Sequence, residues 1–147
     1  MPSDLTIQLV FPAVSKYMNV IGACITAVLQ HESPFSSQET FTSGITLAVH
    51  EVCINIIEHA YCGLPGRIRM DINILDDPHR LEIVLNDHGK AFELGEIFLP
   101  NQDEEVQMRG YGLYLVHQLM DQVEYIPKTG NNTWKLVKDL QLEGSKH

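Results

Sequence analysis

Glu51 and Asn55 stand four residues apart in the run Leu47-Ala-Val-His-Glu51-Val-Cys-Ile-Asn55. On a helix that spacing places one side chain a turn above the other. The pair falls just beside the apolar stripe Ile45, Val49, Val52 and Ile56, so it would line the rim of a core. An Asn amide oxygen is a neutral hard ligand suited to Mg2+, which takes few protein oxygens and completes its shell with waters and substrate phosphates. A Glu one turn earlier can remove a proton from an attacking hydroxyl or water within hydrogen-bond reach. An isolated E-x-x-x-N is more often a solvated helix face, so its weight depends on what else the chain carries.

Two further segments carry chemistry of the same kind. Asp87 closes the apolar run Leu81 to Leu85, which puts a carboxylate at a strand end, and Gly89 lets a ligand approach the backbone. Such a carboxylate can accept an adenine amino group, although Asp-x-Gly is also among the commonest turn compositions. Arg109-Gly110-Tyr111-Gly112 precedes an apolar helical pattern. A glycine-rich helix opening exposes unpaired N–H groups at the positive end of the helix dipole, which suits phosphate oxygens. Arg109 adds a charge-assisted contact. No Gly-Lys-Ser/Thr follows and the third glycine of the dinucleotide fingerprint is absent, so neither of those phosphate loops is present. The order helix Asn, strand-end Asp-x-Gly, long connection, glycine-rich helix opening predicts an ATP pocket.

The elements that must position these residues are legible from periodicity. Leu5 to Phe11 alternates as a half-buried strand ended by Pro12. A helix is expected from Ser15 to about Glu32, its apolar stripe formed by Tyr17, Val20, Ile21, Cys24, Val28 and Leu29. A second helix runs from about Ser37 to Ala60, stopped by Cys62-Gly63-Leu64-Pro65-Gly66. Ile68 to Ile74 and Leu81 to Leu85 form a hairpin around Asp76-Asp77-Pro78-His79. Periodicity is lost from Asp87 to Met108, a connection long enough to be functional. It returns as a helix from about Gly112 to Asp121 and two strands near 122–127 and 133–140. This order predicts an α+β two-layer sandwich, a mixed and mostly antiparallel sheet with helices on one face. The open face would need a partner or water.

Bulk properties bound the function. The 147 residues suit one domain spanning 1–147, and 44% hydrophobic with 20% charged residues is ordinary globular composition. A formal charge of -9 with no run of basic residues argues against nucleic acid or an anionic membrane as partner. The absence of a leader pattern and of an 18-residue apolar run points to the cytoplasm. Cys24, Cys53 and Cys62 lack a C-x-x-C spacing, and free buried thiols are expected.

The string from Leu47 to Tyr61 resembles the asparagine box of the gyrase and histidine-kinase type ATPase superfamily, and most resembles the bacterial anti-sigma-factor serine kinases. Asp87-His-Gly89-Lys-Ala91-Phe92 resembles the first glycine box of that family. Arg109-Gly-Tyr-Gly-Leu-Tyr-Leu-Val-His-Gln-Leu-Met-Asp121 resembles its second, and the likeness continues to the final Trp134 to Lys138 strand. The resemblance implies the Bergerat fold, ATP and Mg2+ as cofactors, Asn55 on the metal, Asp87 on adenine and Gly89 under the base. It further implies Gly110 and Gly112 beside the phosphates, with His59, Ala91, Phe92, Tyr111 and Leu113 also about the nucleotide. Glu51 is implied as catalytic base, Arg109 as the terminal-phosphate contact, and 90–108 as the lid. Implied partners are a STAS-type anti-sigma-factor antagonist phosphorylated on serine, a sigma factor, and a second copy of the chain. An ATP-binding sequestration module without kinase activity, acting on another partner, is the alternative.

Overall fold

In this computed structural model the described residues are 5–32, 38–91, 104–128 and 130–140, and of 104–111 only the backbone. Strands Leu5–Pro12 (β1), Arg67–Leu75 (β2), Arg80–Asp87 (β3), Gln122–Ile126 (β4) and Asn132–Asp139 (β5) form one five-stranded sheet ordered β1-β2-β3-β5-β4. All four pairings are antiparallel, so the mixed sheet expected from sequence is purely antiparallel among the described residues. The two-residue period decides which side chains face inward. Ile68, Met70, Ile72 and Ile74 of β2 and Leu81, Ile83, Leu85 and Asp87 of β3 form one buried face, joined by Asn132, Trp134 and Leu136 of β5.

The other face carries polar side chains. Asn73 donates to Glu82 at 3.3 Å, Lys135 pairs with Glu82 at 3.3 Å, and Asn86 donates to the Thr133 hydroxyl at 2.7 Å. This cross-strand polar ladder suits a face turned to water.

Helices Met18–Gln30 (α1), Glu39–Asn55 (α2) and Glu104–Leu119 (α3) cover the apolar face, α2 packing against both of the others. Ile45, Val49, Val52 and Ile56 are fully buried, as their spacing predicts. On α1 the buried set is Met18, Ile21, Gly22, Ile25, Val28 and Leu29, whereas Val20 is 62% exposed. The expected stripe is therefore displaced by about one residue. The cause lies in α2: Gly22 faces Thr46 and His50, and His50 Nε2 lies 3.0 Å from the Met18 carbonyl, which fixes the rotation of α1.

The second helix continues past Asn55 into a π turn, Ile56–Ala60. Together they make 22 residues that contain an 18-residue window of mean hydropathy 1.3, enough by length and composition alone to cross a bilayer. Its apolar stripe is packed on the sheet instead, and a core helix needs the same composition.

α3 begins at Glu104, not near Gly112. Glu104 and Glu105 sit where negative charge favours a helix N-terminus, and Gln107 and Met108 are good helix formers. Local propensity thus extends the helix backward through the two glycines.

Of the three thiols only Cys53 is buried; Cys24 is half-buried and Cys62 exposed, which corrects the expectation of three buried thiols. Burial pushes the Cys53 thiol from 9.0 up to about 12. Above pH 9 the unfolded chain loses this proton while the folded chain keeps it, so the stability it contributes is complete below pH 9 and falls as pH rises towards 12. The slope of folding free energy against pH should be shallower in Cys53→Ala by up to ~1.4 kcal/mol per pH unit in that range, measured by urea denaturation.

Candidate functional site

The site is organised along one edge of α2 and its π turn. At the Glu51 level, the Asn55 side-chain amide nitrogen donates to the Glu51 carbonyl at 3.0 Å. That bond holds the largely buried Asn55 side chain and leaves its amide oxygen available to accept or to ligate. The Glu51 carboxylate is half-buried and lies against Gly112 of α3, so close that any Cβ at position 112 would overlap its Oε1. A residue with a side chain would push the carboxylate away.

At the Ala60 level, about two and a half turns further and roughly 13 Å along the helix, the Asp87 turn docks. Gly89 lies against the Ala60 carbonyl, where a Cβ would overlap backbone, and the Lys90 N–H donates to the same carbonyl at 3.0 Å. The π turn makes this possible. Its Tyr61 N–H bonds to the Ile56 carbonyl at 3.0 Å, one residue further back than in an α-helix, which turns the last carbonyls outward. The helix then ends with Cys62 at φ 54 and the Gly63 N–H on the Ile57 carbonyl at 3.1 Å.

Asp87 is 1% exposed because it continues the inward set of β3. Its Oδ1 accepts from the Gly89 N–H at 2.9 Å and from the Asn132 side-chain amide at 3.0 Å. Its Oδ2 is buried with no hydrogen-bond partner among the described residues. A buried carboxylate oxygen is costly to leave unmatched. An exocyclic amino group of a base over Gly89 is a donor that would match it, so the residues present fit an adenine nucleotide.

Two residues that hold this turn are not singled out by the sequence reading. Asn132 faces Asp87 across the β3–β5 register. Tyr61 donates its hydroxyl to the Arg67 carbonyl at 2.5 Å and accepts the His88 N–H at 2.8 Å. Extending the two-residue period of Leu136 and Trp134 back one step would have placed Asn132 inward beside Asp87. No comparable signal marks Tyr61, whose contacts join segments 27 residues apart. Tyr61→Phe should lower stability by about 1 kcal/mol, the cost of two part-buried backbone groups losing a partner, and should weaken nucleotide binding; denaturation and calorimetry on the same variant test both.

The remaining candidates divide. His59 is half-buried in the π turn and Ala91 is exposed beyond the Asp87 turn. Leu113 is fully buried in the core, so its side chain serves packing. Arg109, Gly110 and Tyr111 lie in the interior of α3, where helical backbone N–H groups are used within the helix; the side chains of Arg109 and Tyr111 lie outside the described residues, as does Phe92. The glycine-rich segment is therefore not a helix opening here. Among the described parts of that segment, Gly112 is placed directly on a site side chain.

Comparison with known proteins gives the family and the fold. Residues 11–138 match the model of the histidine kinase-like ATPase domain. The chain belongs to that family. Within it, the chain is 27% identical over 132 residues, 85% of this chain and 78% of the relative, to the serine-protein kinase RsbW of Halalkalibacterium halodurans. It is 28% identical over 144 residues, 93% of this chain and 86% of the relative, to the serine-protein kinase RsbW of Bacillus cereus. Among solved structures, the RsbU and RsbW domains of a Mycobacterium tuberculosis protein superpose with TM-score 0.64 at 15% identity, covering 92% of this chain. The chain spans about a third of that structure, 32% of its length. A blue-light activated histidine kinase of Erythrobacter litoralis superposes with TM-score 0.59 at 15% identity, over 88% of this chain and 42% of that one. These likenesses establish the α+β ATPase fold.

Proposed function

We propose that this chain is an ATP-dependent protein-serine kinase of the anti-sigma-factor type, phosphorylating a serine on a STAS-type antagonist in a partner-switching system. The observation that carries it is the Glu51 carboxylate, half-buried, one turn from Asn55 and seated against Gly112. A carboxylate so placed accepts the proton of a serine hydroxyl. The hydroxyl oxygen forms a bond to the terminal phosphorus, the bond to the bridging oxygen breaks, and ADP leaves. The Asn55 amide oxygen would hold Mg2+, which would supply neutralisation of charge on the phosphates. Asp87 and Gly89 seat the base, and Gly110 and Gly112 border the phosphates. Arg109 is the proposed contact to the terminal phosphate.

The named activity of the RsbW relatives supports the reaction class. The net charge of -9 supports the switch: a phosphate on an interface serine adds nearly two negative charges facing an acidic surface, so the phosphorylated antagonist leaves. The partners proposed are that antagonist, a sigma factor and a second copy of the chain, in the cytoplasm.

Incubation with labelled ATP, Mg2+ and STAS-domain proteins from the same genome should label one serine on one of them. Clear Mg2+-ATP binding with no transfer to any of them would sink the kinase assignment and leave the alternative of a nucleotide-gated sequestration module.

A further inference from the structure

Asn132 is 0% exposed, and every hydrogen-bonding group of its side chain is engaged. The amide nitrogen donates to Asp87 Oδ1 at 3.0 Å and to the Gly89 carbonyl at 2.9 Å, while the amide oxygen accepts the Lys128 N–H at 3.1 Å. Two acceptors on one side and a backbone donor on the other fix which end is nitrogen. The side chain therefore spans both ends of the Asp87-His88-Gly89 turn and ties it to the β4–β5 connection.

The consequence falls on Asp87. A carboxylate free to rotate offers both oxygens alternately to a ligand or to water. With Oδ1 held by two donors, the Gly89 N–H and the Asn132 amide, rotation is restrained and Oδ2 is the oxygen left without a partner among the described residues. A single directed acceptor matches one N–H of an exocyclic amino group.

We infer that Asn132 is the positioning residue that makes this site selective for a 6-amino purine, by locking Asp87 so that Oδ2 is its one oxygen left for a ligand to pair. This rests on the nucleotide assignment made above. Asn132 acts through the Asp87-His88-Gly89 turn and makes no hydrogen bond to Glu51, so its effect falls at the base end of the site.

The test uses the full chain and two nucleotides that differ only in that amino group, ATP and purine riboside triphosphate, titrated by calorimetry with Mg2+. Asn132→Ala should raise the Kd for ATP about tenfold and leave that for purine riboside triphosphate within about twofold, so the preference for ATP collapses. Asn132→Ser, which keeps one donor, should fall between and serves if the Ala variant does not fold. An equal weakening of both nucleotides, or an unchanged preference for ATP, would overturn the positioning role and leave Asn132 as a structural tie. Failure of the wild-type chain to bind either nucleotide would instead overturn the nucleotide site itself, and this inference with it.

Discussion

Asp87→Asn should exchange the base preference of the site, lowering ATP affinity by about a hundredfold while GTP binding holds or improves. The reason is that the surrounding hydrogen bonds dictate how the new amide sits. Both groups at the inner oxygen, the Gly89 N–H and the Asn132 amide, are donors. An Asn at 87 must turn its oxygen towards them, because the opposite rotamer would set three donors against one another in a buried site. Its NH2 then occupies the place of Oδ2. An unpartnered acceptor becomes a donor: the adenine amino group would meet a like group, and the guanine carbonyl would meet a partner. A mismatch of buried donors costs about 1–3 kcal/mol, and loss of the charged bond adds to it, which sets the expected hundredfold. Competition between ATP and GTP for a fluorescent nucleotide measures the ratio directly. A variant that keeps its ATP preference would remove Asp87 from base recognition.

Glu51→Gln should reduce phosphate transfer by about 10²- to 10⁴-fold, the usual contribution of a positioned general base, with ATP affinity within about twofold of wild type. Gln keeps the shape and removes the proton acceptor. Gly112→Ala provides an independent check through the same carboxylate. The added Cβ would overlap Glu51 Oε1, the far end of a flexible side chain, so Glu51 swings aside and the fold persists. Because position 112 lies within α3, Ala in place of Gly should stabilise the helix by up to ~1 kcal/mol. Stability and activity therefore move in opposite directions in one variant. Melting temperature and single-turnover transfer at saturating Mg2+-ATP separate them. Unchanged transfer in both variants would place the chemistry elsewhere, or reduce the protein to a sequestering module in which ATP is only a conformational ligand.

Both expectations concern residues visible in the sequence, yet their force comes from contacts that are not. The period of Leu81, Ile83 and Leu85 is enough to place Asp87 inward at a strand end, and the four-residue step from Glu51 to Asn55 is enough to put both at the rim of α2. Such features depend on short-range periodicity, which the backbone imposes whatever the rest of the chain does. The α+β class and the helix–strand order follow from the same source, as do the breaks at 62–66 and at the β2–β3 turn.

Where local preference competes with packing, the sequence falls short. The α1 stripe depends on how closely Gly22 approaches Thr46 and His50 of α2. The start of α3 depends on helix formers upstream of two glycines that by themselves favour a break. Longer-range still are the ties of the Asp87 turn, since Asn132 and Tyr61 lie 45 and 27 residues away from the groups they bind. No periodicity reaches across such separations; only strand pairing and the π turn bring those atoms together. The sequence by itself determined the elements and the residue types that bear chemistry. The tertiary structure alone decided which oxygen of Asp87 is free and what stands against Glu51, because hydrogen-bond direction and close approach exist only once distant segments have packed.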